Sequence, residues 1–342
     1  MIFARILVVA AALSFVAAVA AAKPGQPHVK IAVGGAAGLA YLPTMLAAQL
    51  GAYDQAGIDV ETIDFKGGST ALTAVLGGSA DVVSGFYDHC IDLVPKGKQM
   101  VSLVAYDRFL GIVLVVSPRH TDQIKSIKDL AGKKAGVSAP GSSTDFFLKY
   151  LLRSNGADPN GTAVIGIGLD ASAIAAMEQG SVDVASMVDP AITQLQARNK
   201  DLRILADTRT EADSLKVFGS EYPSGTLYAL DSWVAGHKQE SAALAEAIVA
   251  TLQWIHGHTA EEIMAKMPKE FVGDNRELYL AALKNSLPMY SRTGLMDPKG
   301  AKAVYTVLSQ SLPDVANAQV DLAKTYTNDY VTKAMAKLGV KN

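Results

Sequence analysis

A two-lobed α/β fold is what the sequence predicts, and three observations predict it. Short β-type runs alternate with helical patterns, the order that builds parallel sheets covered by helices. Loops rich in Gly and Ser follow the ends of those runs. One signature also recurs: Gly78-Ser79-Ala80-Asp81-Val82 and Gly180-Ser181-Val182-Asp183-Val184 each end a helix and enter a strand. A length of 342 residues suits about two domains.

The first series opens with Val29 to Val33 as a strand and turns through Gly34-Gly35-Ala36-Ala37-Gly38. A helix follows, with Pro43 in its first turn and Gly51 as its stop. Asp59 to Phe65 alternates as a strand, Gly67-Gly68-Ser69-Thr70 opens a second helix, and Asp81-Val82-Val83 and Met100 to Ala105 return to the sheet. The second series has strands at Ile112 to Val116, Ala135 to Val137, Ala163 to Ile165 and Val182 to Val184, with helices after Ser142-Ser143-Thr144 and after Asp170. From Thr226 the chain has one strand-like stretch, Leu227 to Leu230. Helices then follow: a long pattern from Ser241 to Met267, then Arg276 to Ser286, Lys299 to Ser311 and the C-terminus. With no strands of their own, they are expected to pack on the first lobe and make it discontinuous, with two hinge crossings. The division is 23–109 with 222–342 for lobe 1, and 110–221 for lobe 2.

Residues 1–22 are expected to be a signal peptide: Arg5, the apolar run Ile6 to Val19, and Ala20-Ala21-Ala22 before the cut. The run is shorter than the roughly 20 residues of a spanning helix, and no cysteine near the cut offers a lipid acceptor. An exported, periplasmic protein is the expectation. A net charge of −2 and a pI near 6.3 provide no basic field for nucleic acid. Cys90 is the one cysteine, so neither an intrachain disulfide nor a cysteine-based metal site can form; a small buried apolar role suits it.

Several chemical motifs are set aside. Gly166-Ile167-Gly168-Leu169-Asp170-Ala171 imitates a dinucleotide fingerprint, but the lobe's first strand lies elsewhere. His256 and His258 are two apart, which on a helix directs the imidazoles away from each other. No Gly-x-Ser-x-Gly elbow occurs, and His28, His89, His120 and His237 are scattered. Asp88-His89 reads as hydrogen bonding near a cleft rim, and Asn160-Gly161-Thr162 as a turn.

In open parallel sheets, ligands sit beyond the carboxyl ends of the strands. Here those ends carry Gly35, Ala36, Ser69, Thr70, Ser84, Gly85, Phe86, Tyr87, Ser138, Ser142, Ser143, Thr144 and Asp189, with Tyr41 and Arg108 close in sequence to such ends. Small residues let backbone amides approach a ligand, and helix starts at Ser69-Thr70 and Ser142-Ser143 favour an anionic group. The same Ser and Thr residues also suit ordinary N-caps. Phe86 and Tyr87 suit either a core or the flanks of a ligand. Arg108 suits either a ligand carboxylate or sulfonate, or a salt bridge to Asp107 or another acid. Asp189 suits either an amino group of a ligand or a helix cap.

Ordered landmarks over about residues 28 to 200 resemble those of the nitrate/sulfonate/taurine-type substrate-binding proteins of ABC importers, a group that also resembles proteins for thiamine-pyrimidine precursors. They are Gly51 to Val60, Gly67-Gly68-Ser69, Gly78-Ser79-Ala80-Asp81, Asp129 to Val137, Gly141-Ser142-Ser143 and Asp189-Pro190. The resemblance implies a type II periplasmic-binding-protein fold, two α/β lobes joined by a double-crossing hinge, that holds a small-molecule ligand between its lobes. It implies permease and ATPase partners in the inner membrane, with the binding protein a monomer. Neither metal nor cofactor is implied. An enzyme on the same fold, related to thiamine-pyrimidine synthesis, is the alternative; its cysteine-rich motif has no counterpart beside a lone Cys90. A subunit presenting ligand to a sensor is a third.

Overall fold

The computed structural model describes residues 25–341. The expected signal peptide lies outside them. Ten strands form two five-stranded sheets: β1 (His28–Val33), β2 (Asp59–Asp64), β3 (Val82–Phe86), β4 (Met100–Ala105), β5 (Val113–Val116), β6 (Lys134–Val137), β7 (Ala163–Gly166), β8 (Val184–Met187), β9 (Ile204–Asp207) and β10 (Gly225–Leu230). The first sheet has the order β2-β1-β3-β10-β4 and the second β7-β6-β8-β5-β9. Neither is wholly parallel. In the first sheet β10 runs antiparallel to β3 and β4, and in the second β5 runs antiparallel to β8 and β9.

The central strands β3 and β5 are buried on both faces, as helix-covered sheets require, and apolar apart from Ser84. On β5, Val113 and Val115 pack with Ile174, Met177 and Ile192 on one face, while Leu114 and Val116 join the larger core that continues into the first sheet. The recurrent glycine-to-aspartate signature does the same work twice. Gly78 and Gly180 take positive φ, and the next serine amide bonds back into the helix, to Ala74 O and Ala176 O. Asp81 then accepts the Lys30 amide at 2.8 Å and Asp183 accepts that of Lys134 at 2.7 Å, tying each first strand, β1 or β6, to the helix that ends beside it.

Three sequence expectations change. Strand β8 begins at Val184 rather than Val182, because Asp183 is used in that tie. Strand β9 was not foreseen: Ile204-Leu205-Ala206-Asp207 is short and only half-buried at a sheet edge. The long helical pattern is two helices, Lys238–Gly257 and Ala260–Lys266, parted by a capping box in which Thr259 and Glu262 exchange hydrogen bonds. Of the C-terminal helices, Lys238–Gly257 packs on β4 and Asp329–Leu338 packs on it in turn. Pro298–Ser311 and Arg276–Ser286 reach the second half, against Ser143–Ser154 and Ala191–Arg198.

The chain passes from β4 to β5 through Tyr106–Ile112 and returns from β9 to β10 through Thr208–Ser224. The passages are bonded to each other: Tyr222 N donates to Arg108 O, Ser224 N to Asp107 O, and Tyr106 N to Gly225 O. Gly225 is obligatory, because a Cβ there would come within 2.2 Å of Asp107 Oδ2. Asp107 is itself 1% exposed, and neither carboxylate oxygen has a hydrogen-bond partner. Burial pushes its carboxyl well above the usual carboxylate range. The folded chain therefore binds this proton more tightly than the unfolded one, and Asp107 costs stability increasingly as pH rises above about 4. Asp107→Asn should melt higher than the parent at pH 7, with the difference closing toward pH 4. Equal melting midpoints at pH 7 would refute a buried ionisation cost.

Candidate functional site

The carboxyl ends of both parallel segments meet in one cleft between the halves. After β1, the Ala36 amide donates to Asp64 Oδ1 at 2.7 Å, fixing the glycine loop beside β2. Gly34 is required there: a Cβ would lie 2.8 Å from Tyr41 Oη and 2.9 Å from Gly68 Cα. Tyr41 is buried and its ring meets Phe86 at 5.8 Å. Together with Ala40, Gly68, Leu169, Val188, Ser138 and Ser142 to Thr144 they line a cavity of about 10 Å³, room for roughly one water.

Two helices start at this cavity, Gly68–Leu76 from the first half and Ser143–Ser154 from the second. Neither is capped by its own N-cap side chain. Instead Ser142 Oγ accepts the Ser69 amide at 3.0 Å across the cleft and lies 3.1 Å from Ser69 Oγ, which donates to Pro140 O at 2.9 Å. Thr144 Oγ1 accepts the Ser138 amide at 2.9 Å and also meets Ser138 Oγ. Thr70 donates to Gly67 O. The serines that suit both N-caps and ligand contacts thus bond to the opposite half.

A second set of cross-cleft bonds lies behind the cavity. Ser143 Oγ donates to Asp88 Oδ1 at 2.8 Å, and Leu39 N donates to Asp189 O at 2.8 Å. His89 Nε2 is 3.3 Å from Gly141 O and Nδ1 is 2.8 Å from Tyr228 Oη; the carbonyl assigns the proton to Nε2, so Tyr228 donates to Nδ1. Asp88 is 1% exposed with Oδ2 unpartnered, and burial raises its pKa. Sequence reading placed Asp88-His89 at a rim; they are buried, under the joint.

The other sequence candidates fall outside the lining. Ser84 is bonded to Thr44 Oγ1 and Tyr106 Oη, each at 2.8 Å, and Gly85 makes room for the Tyr228 hydroxyl. Gly35 packs on Leu169, which would stand 2.8 Å from a Cβ. Tyr87 is turned away, its hydroxyl on Thr325 and its ring against Tyr326. Arg108 is paired with Glu221 and, at 3.6 Å, with Glu211, and its guanidinium lies over Phe109. Asp189 accepts from Thr193 N and Oγ1 and faces Arg209 at 3.4 Å. Sequence reading missed Ala40, Leu169 and Val188 as lining and did not single out Gly68 within its glycine loop. Gly68 and Leu169 sit within motifs already noticed, and Val188 directly precedes Asp189-Pro190.

Among the described residues no group of His, Cys, Asp or Glu is arranged to hold a metal, and no helix is long and apolar enough to cross a membrane. Ser142→Ala should lower the stability of the ligand-free protein by about 1 kcal/mol, because the Ser69 amide then loses its acceptor. An unchanged unfolding midpoint would show that water replaces the hydroxyl without cost.

A model of the NMT1/THI5-like family matches residues 40–262. No curated protein sequence matches the chain. A solved structure from Bordetella bronchiseptica RB50 is 36% identical, covering 92% of this chain and 98% of its own, with a TM-score of 0.88. The alkanesulfonate-binding protein of Xanthomonas axonopodis pv. citri, bound to MOPS, is 16% identical over 88% of this chain and 99% of its own, TM-score 0.68. The periplasmic nitrate-binding protein of Synechocystis PCC 6803 is 16% identical over 93% and 90%, TM-score 0.66. These two share the fold of two mixed α/β sheets.

Proposed function

Since the chain belongs to the NMT1/THI5-like family, we propose that it is the substrate-binding component of an ABC importer, capturing a small organic anion and handing it to a membrane permease and its ATPase. The observation that carries this reading is the convergence of two helix starts, one from each half, on one small cavity at the strand ends, where Ser138 and Ser142 to Thr144 face Tyr41 and Phe86. Relatives of the same fold bind alkanesulfonates and nitrate. The protein works as an exported periplasmic monomer, with 23–109 and 222–342 as one lobe and 110–221 as the other.

Ligand enters an open form, because a cavity of about 10 Å³ admits none of these solutes. Its head takes the place of the Ser69–Ser142 bridge and receives amides and hydroxyls from Ser69, Thr70, Ser138, Ser142, Ser143 and Thr144, while Tyr41 and Phe86 meet its body. Gly35 and Ala36 shape the loop beneath it. The solute leaves chemically unchanged: His89 is engaged by Tyr228 and Gly141, so it is not held as a base for any serine of the cavity.

A thermal-shift screen against sulfonates, carboxylates and nitrate tests the reading, since a ligand at 100 times its dissociation constant stabilises by about 2.7 kcal/mol. A hit should also leave ligand unaltered after incubation and change the small-angle scattering of the protein. Turnover of the hit would refute a purely binding role. Arg108→Ala should change its affinity by no more than about twofold, as expected for a half-exposed ion pair outside the cavity. A large loss, measured by calorimetry, would return Arg108 to the site.

A further inference from the structure

The cleft has a second chamber, also of about 10 Å³, on the side where the chain crosses between halves. Ala40 and Met289 of the first half face Gly111, Val188, Asp189 and Arg209 of the second. Ala40 and Val188 line both chambers, so the two adjoin. Among the described residues that line the two, Arg209 is the one Lys or Arg.

Its guanidinium is held from one edge. Asp207 takes Nε at 3.0 Å and Nη2 at 2.7 Å, a two-point grip that fixes the plane of the fork. Nη1 is left with Asp189 Oδ2 at 3.4 Å and Gln196 Oε1 at 3.5 Å, both longer than the roughly 2.7–2.9 Å of a tight charge-assisted bond. The side chain is only 15% exposed, so an anion reaching it is largely shielded from water.

We propose that Arg209 Nη1 forms a hinge-side subsite for an acidic group, and that the solute is two-ended: one acceptor-rich end lies on the helix starts and a second carboxylate or sulfonate lies on Arg209. The inference rests on the cleft being the solute site and adds the class of solute. Asp207 is the positioning residue, since it orients the fork without facing the chamber. Asp189 tunes the subsite. Its Oδ1 is occupied by Thr193, its Oδ2 faces Arg209 and the space an incoming anion needs, and the charged and titratable groups around it are Arg209, Asp207 on the far edge of the same guanidinium, and Tyr290. Burial raises the Asp189 pKa in spite of Arg209, so proton uptake there relieves repulsion when the second anion binds. Affinity for two-ended solutes therefore strengthens as pH falls.

Calorimetry with ethane-1,2-disulfonate and sulfoacetate against ethanesulfonate and methanesulfonate, all of which stay ionised at pH 5.5 and pH 8, tests this at those two pH values. Wild type should prefer the two-ended probes by about tenfold or more, most strongly at pH 5.5. Arg209→Gln should bring that ratio toward one, and Arg209→Lys, which keeps the charge and loses the fork, should retain part of it. Asp189→Asn should flatten the pH dependence and strengthen binding of the two-ended probes at pH 8. Thermal melts check that each variant folds. A preference untouched by Arg209→Gln, or two-ended binding weakened by Asp189→Asn, overturns the inference. Wild type that binds the monoanions equally well refutes the Arg209 subsite alone, whereas wild type that binds no small anion at all refutes the reading of the cleft beneath it.

Discussion

The Ser69 amide, in the first turn of the helix Gly68–Leu76, has no acceptor within its own helix, and the opposite side of the cleft supplies one. Ser142 serves the Ser69 amide from the opposite half, so the bond that caps one helix also joins the two halves. A buried donor without a partner costs on the order of 1–3 kcal/mol, which makes such a bridge a condition for closing the cleft. An anionic head satisfies the same amides more strongly, because charge-assisted bonds are roughly twice as strong as neutral ones. In the proposed function, ligand and bridge compete for these donors.

That competition depends on backbones lying unusually close. Gly34 and Gly68 approach each other beside Tyr41, Gly68 lies against His89, and a Cβ on Gly67 would meet Ser138 and Ala139 of the other half at 3.0 Å. A side chain at Gly67 would wedge the cleft open, and one at Gly34 or Gly68 would displace Tyr41 or His89 beneath it. Polar groups buried by this closeness are paired into short chains: Thr44 to Ser84 to Tyr106 on one side, Tyr228 to His89 to Gly141 on the other. Asp88 and Asp107 stand apart: Asp88 Oδ2 and both carboxylate oxygens of Asp107 lack partners. They lie where the halves touch and where the chain crosses between them, so closure and burial of charge are linked in this molecule.

Much of the site could be read from residue types. Gly-rich loops, Ser and Thr at helix starts and Phe86 after a strand announced themselves, because small residues and N-cap chemistry act over a few neighbouring positions. Roles that depend on distant partners did not. Arg108 and Arg209 are chemically alike in the sequence; Arg108 meets Glu221 at the crossing between halves, while Arg209 is turned into the cleft by Asp207. Tyr87 differs from Phe86 by one position on a strand end, and the alternation of side chains sends one to the cavity and the other to Thr325.

The sequence by itself determined the α/β class, the two series of strands, the bounds of β4 and of the helix Arg276–Ser286, and the repeated glycine-to-aspartate signature, since periodicity, caps and glycine stops are local signals. Tertiary structure decided the rest. It set β10 and β5 antiparallel in the middle of their sheets, admitted the half-buried edge strand β9, and split the long helical pattern at Thr259. Strand direction, edge pairing and the partner of a charged side chain are settled by residues up to 145 positions away, as from Val83 to Tyr228, and no short window of sequence contains both ends of those interactions.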